Sequence, residues 1–207
     1  MCYNFQISKT QQYLEQKFKR KFETPASFNP QTKINGFSHP MLPVITNKQA
    51  NEILLYKWGL IPHWATDEGI ANQTLNARIE TLTEKPSFKS YLSNRCLIIA
   101  DAFTEWKWLD EKGKKKQPYL ISLPSEDCFC FAGLFSLWRS PVTGLVVPSF
   151  TIITTQANEF MAEIHNTAKR MPVILKPAEE SEYLNGLDFT RLSDRSNIEL
   201  LANPILS

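Results

Sequence analysis

The second residue of the chain is a cysteine directly behind the initiator methionine, and a methionine that precedes a small residue is commonly removed. Removal would leave one residue carrying both an amine and a thiol. With reference pKa values of about 7.7–8.0 and about 8.5, both groups of Cys2 are partly deprotonated near neutral pH, so both can act as nucleophiles. Such a 1,2-aminothiol can condense with an aldehyde to a Schiff base and close to a thiazolidine, or attack an acyl group as an N-terminal nucleophile. Cys2 can also be simply the second residue of a strand. Glu105 is an acid inside the aromatic run DAFTEWKW, where strand alternation sets Phe103, Glu105 and Lys107 on one face. If Phe103 enters the core, Glu105 is desolvated and its pKa moves toward a useful general-acid range; the alternative is an edge-strand carboxylate paired with Lys107. His165, in EIHNTAKRMPVIL, stands five residues before Arg170, a spacing that can present imidazole and guanidinium at one pocket rim. Asn76 and Arg78, in LNARIET, can hold an amine and fork onto a phosphate, or merely form a turn. Trp58, Trp64, Trp106 and Trp108 lie near basic residues, where rings stack on unpaired bases, although most such rings belong to the core and at most two should face a ligand.

Positioning these groups requires an ordered domain, and 207 residues with 43% hydrophobic and 12% aromatic content can build one. The segments EILLYKWGLI, RCLIIADAFTEWKWL, QPYLISL, CFCFAGLFSLW and VVPSFTIITT predict about five strands in an antiparallel sheet or open barrel. DEKGKKKQ fits a hairpin tip, and the alternative is an exposed turn that its lysines simply solvate. A helix is predicted over 9–22 with Ser8 as N-cap and Tyr13, Phe18 and Phe22 on one face, and further helical pieces over 85–92, 157–164 and 177–186. Residues 29–51, with several Pro and Asn and a glycine at Gly36, read as an irregular crossing segment. The expected class is α+β, a single domain over 1–207 with an antiparallel or open-barrel core and peripheral helices.

Lys and Arg number 23 against 21 acids, a net charge of +2, which excludes a protein that coats polyanions but leaves room for a local basic groove. Residues 177–207 hold six acids and two arginines, so the remainder carries +6. No window is apolar enough to span a membrane and no leader pattern opens the chain, so a soluble cytoplasmic protein is expected. The four cysteines read as thiols; their spacing and the scattered His39, His63 and His165 give no zinc pattern, so neither metal nor other cofactor is expected.

Taken in order, MC, WGLIPHW, LNARIET, RCLIIADAFTEWKW, FAGLF, SFTIITTQAN and IHNTAKRMPVIL resemble the SOS response-associated peptidase (SRAP) family of abasic-site-crosslinking proteins, from residue 2 to about 176. The acidic 177–207 segment would then be a helical extension. The resemblance implies that Cys2, freed of Met1 by a self-directed peptidase activity, traps the aldehyde of an abasic site in single-stranded DNA as a thiazolidine. It also implies that Asn76 fixes the amino terminus, that Glu105 assists ring opening, proton transfer and reversal, and that His165 serves the sugar oxygen. By the same resemblance Arg78 and Arg170 are phosphate ligands, Trp64, Trp106 and Pro40 abut the neighbouring bases, and Thr154 is a polar contact near the lesion. The partner would be abasic single-stranded DNA and the protein a monomer. Two departures stand out: the family's MCGR start is MCYN here, which places Asn4 where an Arg is usual, and the IHxRMP spacing is lengthened to IHNTAKRMP. The residues alone leave two other readings open, an N-terminal-nucleophile amidohydrolase or peptidase and a non-catalytic DNA-binding module.

Overall fold

The computed structural model describes residues 2–24, 28–124 and 127–206. Met1, whose removal the expected chemistry requires, lies outside them. The first sheet has five strands in the order β14 (Leu201–Pro204), β9 (Lys116–Ser122), β8 (Ala102–Trp108), β1 (Asn4–Ile7) and β3 (Gln31–Asn35). The second holds β2 (Lys21–Phe22), β4 (Met41–Thr46), β5 (Glu52–Trp58), β6 (Asn76–Arg78), β7 (Arg95–Ala100), β10 (Phe129–Arg139), β11 (Val146–Gln156), β12 (Arg170–Pro172) and β13 (Ile174–Leu175). Antiparallel pairing runs β11–β10–β7–β4–β5, and a short parallel contact of Lys57–Trp58 with Ser149–Phe150 returns β5 to β11, closing a five-stranded barrel. Three helices, α1 (Gln11–Phe18), α2 (Glu159–Ile164) and α3 (Pro177–Leu184), lie outside the strands. The α+β class expected from sequence is the one observed, with a barrel that closes rather than stays open.

Aromatic side chains join the two sheets. Phe5 of β1 packs on Trp58 at 5.0 Å and on Phe131 at 5.7 Å, Phe103 of β8 meets Phe131 at 5.9 Å, and Trp58 stacks on Phe150 at 6.2 Å between ring centroids. These large buried rings, with Trp58 donating its indole N–H to the Leu75 carbonyl at 2.9 Å, fix the strands that carry the site. On β10, Gly133 admits no side chain, since a Cβ there would fall 2.2 Å from Ile98 Cδ1 and 2.5 Å from the Thr151 carbonyl. Gly133→Ala is expected to cost about 3 kcal/mol in urea denaturation. A cost near zero would show that the barrel wall yields at this point.

Several local expectations change for physical reasons. Helix α1 is shorter than the predicted 9–22: Thr10, not Ser8, accepts the Tyr13 N–H, Leu14 and Phe18 bury one turn apart, and left-handed Lys19 ends the helix so that Lys21–Phe22 can pair with β5. Ser8 instead gives its N–H and its hydroxyl to the Asp101 carboxylate, at 2.5 and 2.8 Å. The supposedly irregular 29–51 contains β3 and β4. Proline 43 is tolerated because β4 pairs with β7 only from Val44 onward, where N–H donors resume. Residues 85–92 make turns and one 3₁₀ turn, Lys89–Tyr91, that buries Phe88 and Tyr91 three residues apart. The C-terminal segment is α-helical only over Pro177–Leu184. Buried Arg95, bonded to the Tyr183 and Leu187 carbonyls and facing Tyr183 and Phe189, and buried Arg195, paired with Glu179 at 2.8 Å, dock it, and β14 then extends the first sheet. Among the described residues no helix is long and apolar enough to cross a membrane.

Candidate active site

Strand β1 lies between β8 and β3, with Phe5 opposite both Phe103 and Ile34, so the register of one central strand places the chain's first residues. Cys2 is fully buried. Its carbonyl accepts a hydrogen bond from Asn76 Nδ2 at 2.9 Å, and its Sγ lies 3.9 Å from the Asn4 carbonyl. Asn76 reaches it because β6 runs parallel to β11, pairing Asn76 with Ile152 and Arg78 with Thr154. Burial, then the neighbouring Glu105 charge, pushes the Cys2 thiol far above its ordinary pKa, so the sulfur is held as a neutral thiol.

On β8 the alternation foreseen for Phe103 and Glu105 is present: Phe103 is wholly buried and Glu105 is 4% exposed. Burial pushes the Glu105 carboxyl up to about 7. His165 caps the C-terminus of α2, and its Nε2 stands 3.9 Å from Glu105 Oε2. The ring's Nδ1 lies 2.8 Å from the Arg170 carbonyl and 3.1 Å from the Arg170 N–H, two contacts that demand opposite protonation of one nitrogen. The shorter assigns the proton to Nδ1, which donates to the carbonyl and leaves the Nε2 lone pair toward Glu105. Burial holds the imidazole pKa below its usual value. A protonated Glu105 beside a neutral imidazole forms an acid–base pair poised near neutral pH. Tyr3, Glu105, Trp106, Trp108, His165 and Lys116 share an open cavity of 330 Å³.

The other expected contacts divide. Arg170 is not an open surface cation. It is 8% exposed, its two terminal nitrogens fork onto Glu80 at 2.6 and 3.0 Å, and it also donates to the Thr154 carbonyl at 2.8 Å. Against the opposing effect of partial burial, that fork holds Glu80 below the usual carboxylate range. The lengthened IHNTAKRMP segment is accommodated by a tight turn in which Lys169 adopts φ 49° and donates to the His165 carbonyl, so Arg170 serves through its backbone as the seat of the imidazole. Thr154 is likewise buried, its hydroxyl placed between the Ala77 carbonyl at 3.4 Å and Arg170 at 3.2 Å. Trp106 is half-buried in the cavity wall. Trp64 is 48% exposed, Arg78 is exposed and Pro40 half-buried, and none of these three lines that cavity. Of the five tryptophans, Trp58 and Trp138 are core.

Sequence reasoning missed three contributors. Glu80 lies 90 residues from its partner Arg170. Asn166 binds the Trp108 N–H through Oδ1 at 3.1 Å and the Trp108 carbonyl through Nδ2 at 2.9 Å, tying the residue after His165 to the end of β8. Tyr3 stands against Phe37 at 5.0 Å, with Phe37 itself 52% exposed. A larger cleft of 470 Å³, beside α1 and the start of α3, includes Cys128, but burial pushes that thiol up to about 12 and no histidine lines the cleft. Unlike Cys2 after removal of Met1, Cys128 carries no free α-amine beside its thiol and so cannot form an aminothiol. All four cysteines are free and buried, and among the described residues no three His, Cys, Asp or Glu gather as a metal site.

Comparison with known proteins bears on the family and the fold. The chain is 43% identical over 187 residues to the abasic site processing protein YoqW of Bacillus subtilis, covering 89% of this chain and 80% of that one. It is 33% identical over 168 residues to the abasic site processing protein HMCES of Gallus gallus, of which it spans 48%. A crystal structure of a Bacteroides thetaiotaomicron protein superposes with a TM-score of 0.89 at 31% identity, covering 99% of this chain and 92% of that one. The family profile of the SOS response associated peptidases matches residues 1–205. A barrel of this topology, a buried cysteine at position 2 and that match leave one assignment: the chain belongs to the SRAP family.

Proposed function

We propose that the protein processes abasic sites in single-stranded DNA by capping them covalently through Cys2 once Met1 has been removed, and that it acts as a monomer. The observation that carries this reading is the convergence of a buried Cys2, anchored by Asn76, with a Glu105 carboxyl raised to about 7 and an imidazole 3.9 Å from that carboxyl. An abasic deoxyribose opens to an aldehyde at C1′. The Cys2 amine adds to it, the resulting carbinolamine loses water as Glu105 protonates the departing hydroxyl, and an imine forms. The thiol then adds across the C=N bond: sulfur bonds to C1′, and the sulfur's proton passes to nitrogen. The product is a thiazolidine, and one water is released overall. His165 accepts and returns the proton of Glu105, and the reverse sequence, with water added back, releases the DNA.

The neutral, buried thiol favours this order over acyl chemistry. An N-terminal-nucleophile hydrolase needs sulfur to attack first, as thiolate, whereas here the amine attacks first and sulfur follows. Removal of Met1 by the site itself, as a self-directed peptidase activity, belongs to the same reading. The test mixes Met1-free protein with oligonucleotides carrying an abasic site, a reduced tetrahydrofuran analogue or an intact base. A heat-stable shifted band should form with the abasic strand alone. Turnover of peptide or glutamine without DNA, and no such band, would replace this reading with the hydrolase one.

A further inference from the structure

We propose that the β8–β9 hairpin tip is a built phosphate-gripping arm that holds the backbone of the damaged strand beyond the lesion; this rests on the DNA-processing reading above. Residues 107–116 carry five lysines against Asp110 and Glu111. An ordinary lysine-rich turn would fray, but this one is fastened from within. The Asp110 carboxylate accepts the backbone N–H groups of Lys112, Lys114 and Lys115 at 2.9, 3.1 and 2.5 Å, which turns its charge toward the main chain instead of the ammonium groups. Leu109 and Lys115 close the turn through a 2.9 Å backbone bond. Gly113, at φ 62°, lies flat on Trp108, where any Cβ would come within 2.6 Å of the indole. The Lys116 ammonium stands 4.8 Å from the same ring.

Lys112, Lys114, Lys115 and Lys116 are exposed, and among the described residues no carboxylate pairs with them. The buried cations of the fold are committed elsewhere: Arg170 to Glu80, Arg195 to Glu179, Arg95 to backbone carbonyls. The tip is continuous with the chemistry, because Trp108 and Lys116 line the cavity of Glu105 and His165, and Asn166 clamps Trp108 beside that imidazole. A strand leaving the cavity on this side meets exposed lysines carried on a turn whose backbone is fastened. A phosphodiester backbone, with one charge per nucleotide, matches that concentration of positive charge.

The experiment measures binding by anisotropy over a range of salt, with strands of about five and about twenty nucleotides carrying a central tetrahydrofuran analogue that cannot crosslink. In the combined Lys112→Ser, Lys114→Ser, Lys115→Ser variant the slope of log K against log salt should fall by about 2 for the long strand, with an affinity loss of about tenfold or more. The short strand should bind as before, and the matching Lys→Arg variant should keep the full slope. An unchanged slope, or an equal loss with the short strand, overturns the proposal. Asp110→Ala separates a built arm from bulk charge: it removes a negative charge yet should weaken long-strand binding several-fold, and tighter binding would overturn the claim that the loop is preorganised. An intact strand is titrated in parallel. Equal affinity of the unmodified protein for intact and lesion strands would count against the abasic-site reading while leaving the slope comparison valid.

Discussion

Cys2→Ala, matured to expose its amine, is expected to form no heat-stable complex with abasic DNA. The substitution keeps the α-amine and removes only the sulfur, so imine formation is retained and ring closure is lost. A band should therefore reappear when borohydride is added during the reaction, since reduction converts the reversible imine to a stable amine. That pair of results assigns amine and thiol to separate steps. A heat-stable complex surviving in Cys2→Ala without reductant would show that another residue makes the bond. The buried side chain is small, so Cys2→Ala should fold. A companion observation concerns reactivity: burial and Glu105 hold the thiol pKa far above its ordinary value, so Cys2 should alkylate slowly with iodoacetamide at neutral pH in the native protein and rapidly after unfolding.

Glu105→Gln is expected to slow crosslinking about 100-fold and, at the same time, to make the protein more stable in mild alkali. Both effects come from one property, the carboxyl pushed up to about 7 by burial. A general acid contributes on the order of 10²–10⁴ in rate, and glutamine cannot donate in the same way. In the unmodified protein the rate needs a protonated Glu105, lost above about 7, and a neutral amine, gained toward about 8. It should rise with pH below about 7, level off, and fall above about 8, whereas Glu105→Gln should keep the rise and lose the fall. For stability, the carboxyl's pKa in the folded chain lies above its unfolded value, so the contribution of the protonated group is complete below about 4.5 and is lost as pH rises through about 7. Ionising the buried group costs roughly 3 kcal/mol at most, so at pH about 8 the Gln variant should melt higher by on the order of 5–10 °C, with little difference near pH 5. A lower melting temperature at pH 8 would mean that Glu105 is held by partners that favour its charged form.

The parts of this site legible in the sequence are those set by local alternation. Phe103 and Glu105 share a face by the two-residue period of a strand, and desolvation of the carboxyl follows from that alone. His165 at the end of a short helix could also be placed, because Asn158 caps α2 through the Met161 N–H and the helix lasts only to Ile164. What could not be read was pairing across long separations. Nothing near Asn76 signals that a three-residue strand will run parallel to β11 and meet the Cys2 carbonyl 74 residues away. Arg170 carries the character of a phosphate ligand, and only the fold brings Glu80 against it. The strands in 29–51 are hidden in the sequence by Pro40, which precedes β4, and by Pro43, whose missing donor falls where β4 has no β7 partner. The roles expected of Asn76 and His165 come from resemblance to a family, since composition and spacing leave them open.

The position of β1 has a mechanical consequence. It is paired on both edges, to β8 and to β3, with its axis leading directly to Cys2. Because antiparallel hydrogen bonds lie across the strand, any component of tension acting along β1, through DNA joined to Cys2 as proposed, would load them together in shear instead of opening them one after another. A translocating motor that pulls on a captured strand would meet an anchor in the interior of a sheet. Detaching the protein from its DNA by force would then require sliding a central strand out of two neighbours, so chemical reversal of the bond or destruction of the protein becomes the easier exit.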